Sequence, residues 1–192
     1  MNYKLIKRIA DIFFSLVCLP IVIPISIFVV LLIKCNSKGP IIFKQHRIGL
    51  NCKPFTIYKF RTMKSNLNRI EKQVYLYDGD IFFSGNFLRR FKLDELPQFF
   101  NILIGDMSFV GPRPCLDLTF KTMPQWALKR FDIKPGLTGL AQVNGNIKLS
   151  WPERWKFDVI YSKKISFFMD IIIVFKTLVV LFTGEEIKKR FK

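Results

Sequence analysis

Histidine is almost missing from this sequence: His46 is the only one, and the four cysteines form no Cys-x-x-Cys pair. A zinc centre needs four such ligands at short spacings, so the composition argues against one. Cys18 lies inside an apolar run, and the thiols read as reduced residues of a cytosol-facing protein. Acidic residues are scarce too. Asp and Glu number 14 against 31 Lys and Arg, a formal charge of +17. Internal repeats and low-complexity linkers are lacking. Hydrophobic residues, by contrast, make up 50% of the chain and aromatic residues 15%. That apolar mass excludes a disordered basic tail and a collagen-like chain. A mean hydropathy of +0.23 combined with so much positive charge is unusual for a soluble domain. It fits a partner that is anionic: a membrane surface, a phosphorylated substrate or nucleic acid. The 192 residues suffice for one compact domain but are few for two.

The longest uncharged run extends from Ile12 to Ile33. As a straight helix it would measure about 33 Å, enough to cross a bilayer. Lys4, Lys7 and Arg8 precede it, and Lys34 and Lys38 follow. Positive charge at both ends favours keeping both ends cytoplasmic. Pro20 and Pro24 lie mid-run, one helical turn apart, and each removes a backbone donor and crowds the preceding turn. A re-entrant helix–break–helix over residues 1–38 satisfies both features, with Ser26 able to engage a freed carbonyl. A kinked span is the alternative. The second apolar stretch, Ile165 to Phe182, is interrupted by Asp170 and Lys176 and followed by Lys188-Lys189-Arg190. It reads as an interfacial amphipathic helix, or else as a core helix with a solvated basic end.

Residues 39–192 read as a cytosol-facing, mixed and helix-rich α/β domain. Ile41 to Arg47 and Phe55 to Phe60 read as short strands around the turn region Gly49-Leu50-Asn51. Ser65 to Tyr77 suggests a polar helix or excursion, and Phe87 to Phe91 a short helix. Asp94-Glu95-Leu96-Pro97 opens a further helix that Gly105 closes. Gly111-Pro112-Arg113-Pro114 enforces extended or turn backbone, Lys134 to Asn146 is rich in turn residues, and Trp151 to Lys164 has a helical pattern.

Asp94 and Glu95 are the residues most open to a chemical role. By spacing alone they are equally ordinary helix-start acids. A helix start also attracts phosphate, and neighbouring carboxylates can divide two tasks, one as nucleophile and one as ligand for a divalent cation.

Four blocks occur in order: Lys59-Phe60-Arg61-Thr62-Met63, Leu93-Asp94-Glu95-Leu96-Pro97-Gln98, Gly105-Asp106-Met107-Ser108-Phe109-Val110-Gly111-Pro112-Arg113-Pro114, and Lys134-Pro135-Gly136-Leu137-Thr138-Gly139-Leu140-Ala141-Gln142-Val143-Asn144-Gly145. Together with the proline-bearing N-terminal helix they resemble the bacterial sugar transferases, the monotopic phosphoglycosyl transferases that start surface-glycan assembly. The resemblance covers nearly the whole chain and points to the minimal catalytic form of the family. It implies transfer of a sugar-1-phosphate from a nucleotide diphosphate sugar, usually a UDP-sugar, to a polyprenol phosphate such as undecaprenyl phosphate, with release of UMP. It implies Asp94 as nucleophile, Glu95 as Mg²⁺ ligand or assistant in the second step, and residence on the cytoplasmic face of the bacterial inner membrane among its lipids.

Electrostatics adds a requirement. A carboxylate 4 Å from a phosphate oxyanion is repelled by about 4 kcal/mol at an effective dielectric of 20, roughly a thousandfold in rate. Lys59, Arg89 and Arg113 are the candidate counter-charges, Arg being suited to bidentate phosphate contact. Arg61 and Arg90 are weaker candidates. The flanking prolines pre-fix the backbone of Arg113. Gln142 and Asn144 offer amides to a base or sugar, or serve as plain turn residues. Asp158 and Asp170 are open to metal or basic side chains, without being assigned as metal ligands. Sugar choice is expected to lie in the segment between Lys64 and Gly85 and around Asn146. The competing functions are a non-enzymatic basic adaptor at a membrane surface and a nucleic-acid binder. For the latter no groove-reading or RNA-binding module is recognisable, and no nucleic-acid partner is expected.

Overall fold

The structure, a computed structural model, describes residues 3–63 and 81–183. The polar segment from Ser65 to Tyr77 and the Lys188-Lys189-Arg190 tail lie outside them. The architecture is mixed and helix-rich, with two small sheets and a long apolar N-terminal helix.

That helix, α1 (Tyr3–Asn36), runs without interruption through Pro20 and Pro24. The expected break is thus absent as a non-helical step. Each proline removes a single intrahelical donor, a loss that a long helix with otherwise complete bonding absorbs. Only Asp11, Ser15, Val29 and Ile33 are buried along α1. These positions recur at spacings that keep them on one helical face. The N-terminal end is fastened by polar groups: Arg8 donates to the carbonyls of Ile102 and Leu103, and Lys4 to that of Asp132. The C-terminal end is fastened by packing of Val29 and Ile33 against Phe60, Phe82 and Leu88. Both ends therefore rest on the same folded body. Between them Phe13, Phe14, Ile21, Ile27 and Phe28 are exposed.

The strands β1 (Ile42–Ile48) and β2 (Pro54–Phe60) form the expected antiparallel hairpin, registered from Ile42 opposite Phe60 to Ile48 opposite Pro54. Its turn contains Asn51 and Cys52 at φ 53° and 58°, a left-handed backbone that Asn tolerates better than most residues. Alternation along β2 aims Lys59 to the same side as Ile57, which packs on Ile102 and Met107.

Two short helices follow, α2 (Phe83–Arg90) and α3 (Gln98–Ile104). Asn101 of α3 is fully buried and acts as an extra rung on β2. Its Nδ2 donates to the Thr56 carbonyl at 2.7 Å, and its Oδ1 accepts from the Tyr58 N–H at 3.1 Å. These bonds fix α3 to the strand that carries Lys59. Gly105, at φ 95°, closes α3 in the left-handed conformation that lacks a steric cost only for glycine.

β3 (Ser108–Val110) pairs in parallel with β4 (Gly136–Thr138), with α4 (Asp117–Lys121) in the intervening chain. The crossing is tight: a Cβ on Gly136 would lie 2.0 Å from the backbone nitrogen of Gly111. Then come α5 (Leu140–Val143), α6 (Trp151–Lys163) and α7 (Phe167–Thr183). α6 starts at a capping box in which Ser150 and Glu153 satisfy each other's backbone donors. Val110, Ile133, Val143, Tyr161 and Ile173 form the core beneath it. α7 buries Ile173 but leaves Phe168 and Phe175 77% and 67% exposed, together with Ile171, Ile172, Leu178 and Leu181. A core helix would bury those side chains, so the reading as an ordinary core helix gives way to an apolar outer face suited to an interface.

A buried polar cluster ties α1 to α7. Asp170 of α7 accepts hydrogen bonds from Tyr3 at 2.7 Å, from the Lys7 ammonium and from Tyr161 of α6. Nearby Asp11 accepts from Ser108 Oγ and the Phe109 N–H, both at 3.1 Å. Burial first, then the Asp170 carboxylate, pushes the Tyr161 hydroxyl far up, so it stays protonated as a donor.

Candidate active site

Asp94 and Glu95 occupy a 3₁₀ turn, Leu93–Glu95, immediately ahead of α3. Lys92 enters that turn in the left-handed conformation at φ 56°. Both acids are buried, 8% and 6% exposed. Neither supplies a side-chain cap at the start of its turn or of α3. The capping part of the helix-start reading therefore fails, since an N-capping carboxylate would accept from the first-turn amides, although both acids do stand in a first turn.

The two carboxylates have opposite surroundings. Glu95 Oε1 accepts from Lys59 Nζ at 2.7 Å and from the Arg113 guanidinium at 2.9 Å. Burial alone would push its carboxyl up, but the Lys59 and Arg113 charges hold it well below the usual carboxylate range. Asp94 Oδ1 is buried without a hydrogen-bond partner among the described residues. Burial, and then the Glu95 charge, push the Asp94 carboxyl up; Lys59, Lys92 and Arg89 pull it partly back. Burial likewise lowers the Lys59 ammonium, against the pull of Glu95. One acid is thus locked as an anion between two cations. The other presents a desolvated, unshared oxygen, which is what an attacking carboxylate requires.

Lys59 and Arg113 meet Glu95 directly, and the charges of Glu95 and Lys59 bear on Asp94. Arg89 adds its charge beside Asp94, and its Nε donates to Thr62 Oγ1 at 2.9 Å. Arg61 is drawn elsewhere: its guanidinium caps the end of α1 through the carbonyls of Lys38 and Ser37 at 2.7 and 2.9 Å. Asn144 donates to the Leu140 carbonyl at 2.7 Å, and Gln142 to that of Leu137 at 3.4 Å, both local backbone contacts. Asp158 and Asp170 meet basic side chains, Arg130 and Lys7 respectively. Sequence reasoning did not single out Lys92, whose charge bears on both acids. Its place in the cationic run before Asp94 was the available signal. Nor did it single out Arg130, which is 5% exposed.

Among the described residues no three His, Cys, Asp or Glu side chains gather as a ready-made metal cage. The donor set still suits Mg²⁺, which takes one or two protein carboxylates and completes its octahedron with water and substrate phosphate. Glu95 is the carboxylate that could serve as such a ligand, which leaves the Asp94 oxygen unshared.

Residues 2–184 match the family described as Bacterial sugar transferase. The chain belongs to the bacterial sugar transferase family. It is 36% identical to an uncharacterised sugar transferase, EpsL, of Bacillus subtilis (strain 168), over 96% of this chain and 91% of that protein. It is 40% identical to the exopolysaccharide production protein PSS of Rhizobium leguminosarum bv. phaseoli, over 91% of this chain and 94% of that one. It is 39% identical to the UDP-glucose:undecaprenyl-phosphate glucose-1-phosphate transferase of Escherichia coli (strain K12), over 91% of this chain but 40% of that protein. The chain thus spans most of some relatives and less than half of others. Membership makes the protein a transferase, and the dyad with its cations is the site in which to look for the transfer.

Proposed function

We propose that this transferase moves a sugar-1-phosphate from a UDP-sugar to a polyprenol phosphate, with undecaprenyl phosphate the natural acceptor, and so begins assembly of a surface glycan. The observation that carries the reading is the unequal dyad: Glu95 clamped by Lys59 and Arg113, Asp94 left with a buried, unshared oxygen.

In the first half-reaction an Asp94 carboxylate oxygen attacks the phosphorus that bears the sugar. A P–O bond forms to Asp94, the bond to the bridging oxygen breaks, and its electron pair leaves with UMP. In the second, an acceptor phosphate oxygen attacks the same phosphorus and the carboxylate of Asp94 departs. The products are UMP and a polyprenol diphosphate sugar, with no redox partner and no net proton needed. Arg113, half-exposed at the rim, and Arg89 supply positive charge to the phosphates. Lys59 keeps Glu95 ionised and oriented. Glu95 would hold Mg²⁺ together with the diphosphate, where the ion would neutralise phosphate charge and favour departure of UMP.

The same reading places the protein on the cytoplasmic face of the bacterial inner membrane, with α1 re-entrant. Attachment of both ends of α1 to one body supports this, as does the exposed apolar stretch between them. A span would put one of these ends on the far side of the bilayer, away from the body that both contact. Shallow embedding would hold the dyad where a soluble anionic donor and a lipid phosphate can both reach it. Asp94→Asn decides the functional claim. It should abolish UMP release from a UDP-sugar in the presence of polyprenol phosphate while leaving the circular dichroism spectrum unchanged. Wild-type turnover by that variant would refute the assignment.

A further inference from the structure

Gly111-Pro112-Arg113-Pro114 lacks backbone donors at both prolines, so its carbonyls are the handles by which the rest of the protein can hold it. Three successive carbonyls receive a donor. The Pro112 carbonyl accepts from the Gly136 N–H at 2.9 Å. The Arg113 carbonyl accepts from an Arg130 guanidinium nitrogen at 2.7 Å. The Pro114 carbonyl accepts from Arg47 at 3.4 Å. The middle contact is the short side-chain one, and it comes from a residue that is itself anchored. Arg130 Nε and Nη2 lie 3.0 and 2.8 Å from the same oxygen of Asp158 on α6. Arg130 and Asp158 are 5% and 2% exposed. The Arg113 side chain reaches Glu95 at 2.9 Å.

A buried ion pair is a costly way to build a core, because apolar residues of the same volume do as well or better. Its geometry here gives it a use. We propose that Arg130 and Asp158 are positioning residues: Asp158 fixes the Arg130 fork, Arg130 fixes the main-chain carbonyl of Arg113, and this sets where the Arg113 guanidinium stands beside Glu95 and the substrate phosphates. The planar fork is essential, since one guanidinium serves a carboxylate and a carbonyl at the same time. A lysine at 130 keeps the charge but has no such fork. The inference rests on the proposed role of Arg113 as a phosphate counter-charge.

A double-mutant cycle tests it, with wild type, R113A, R130K and R113A/R130K in lipid nanodiscs. UMP release is measured with a radiolabelled UDP-sugar and polyprenol phosphate, and thermal unfolding is followed by circular dichroism. R130K should lower kcat by roughly 10- to 100-fold in the wild-type background, as expected for a misplaced phosphate clamp. In the R113A background the same change should cost less than about twofold, because the group being positioned is gone. Its effect on the melting temperature should be the same in both backgrounds, since the Arg113 carbonyl persists in R113A. A merely structural Arg130 would lower activity by the same factor in both backgrounds, and that result overturns the proposal. Should R130K not accumulate as folded protein, D158E enters the same cycle, lengthening the acid while keeping its charge, with the same two outcomes. Full activity of R113A would overturn the role of Arg113 and the positioning claim with it. A wild type that releases no UMP from any UDP-sugar would instead refute the functional reading itself.

Discussion

Replacing Lys59 with methionine removes the shorter of the two contacts that hold Glu95. At 2.7 Å the Lys59–Glu95 attraction is about 6 kcal/mol gross at an effective dielectric of 20. Most of that offsets the desolvation of two buried charges. What the variant leaves behind is a buried carboxylate supported chiefly by half-exposed Arg113, whose pull is more screened. Breaking one side of a buried pair costs about 3–5 kcal/mol, a large share of a domain's stability. The pH dependence carries the more specific signature. Glu95 is held well below the unfolded carboxyl, so its stabilisation is complete above the unfolded value, about 4.3, and is lost as pH falls through the folded value. Without Lys59 the folded value climbs, and the acid limb of the unfolding profile moves to higher pH. Activity should drop by about 10²–10³, the usual cost of one preorganised charge. Lys59→Arg should recover part of both. Thermal unfolding by circular dichroism from about pH 2 to 7 reads the first effect and UMP release the second. A Lys59→Met protein that melts like wild type, with a superimposable acid limb, would refute the account of the dyad.

Other consequences follow from the fold. Asp170→Asn weakens acceptance from Tyr3, Lys7 and Tyr161 and leaves the Lys7 ammonium without its carboxylate. It should destabilise the α1–α7 junction by about 1–3 kcal/mol, measured as faster proteolysis between the two helices and a lower melting temperature. Gly136→Ala would place a methyl 2.0 Å from the Gly111 nitrogen and force β3 from β4. It should lower stability by more than the roughly 1 kcal/mol of a simple glycine-to-alanine backbone effect, and activity should fall because the Gly-Pro-Arg-Pro segment moves. Single cysteines introduced at Lys4 and Lys38 should both resist an impermeant thiol reagent added outside intact cells. Labelling at one end alone would mean that α1 spans the bilayer.

Much of this was legible in the sequence, for identifiable reasons. The β1–β2 hairpin announced itself by two strand-like runs around Gly49-Leu50-Asn51. α6 did so by the helical pattern from Trp151 to Lys164, and α3 by Gly105 at its end. The dyad and Arg113 stood out because four blocks resemble one family. The β3–β4 pairing was not legible: three-residue strands carry no readable period, and their partners are distant in the chain. Arg61 looked like a phosphate ligand at the end of a cationic strand, yet the open carbonyls at the end of α1 claim it. A basic partner was foreseen for Asp158, but not that it would be Arg130, 28 residues away, since pairing across a fold leaves no local mark. The boundary of α2 was also hidden: it begins at Phe83, whose 92% exposure breaks the expectation that an aromatic residue marks a buried face. The loop expected to choose the sugar falls mostly outside the described residues.

The central claim is that Asp94 becomes esterified to a sugar phosphate before the lipid acceptor arrives. Intact-protein mass spectrometry after incubation with UDP-sugar and Mg²⁺ alone tests it most directly. The account predicts a mass increase of one sugar phosphate with matching UMP release, lost in Asp94→Asn and reversed by polyprenol phosphate. An unmodified mass in wild type, with kinetics that require donor and acceptor bound together, would contradict it.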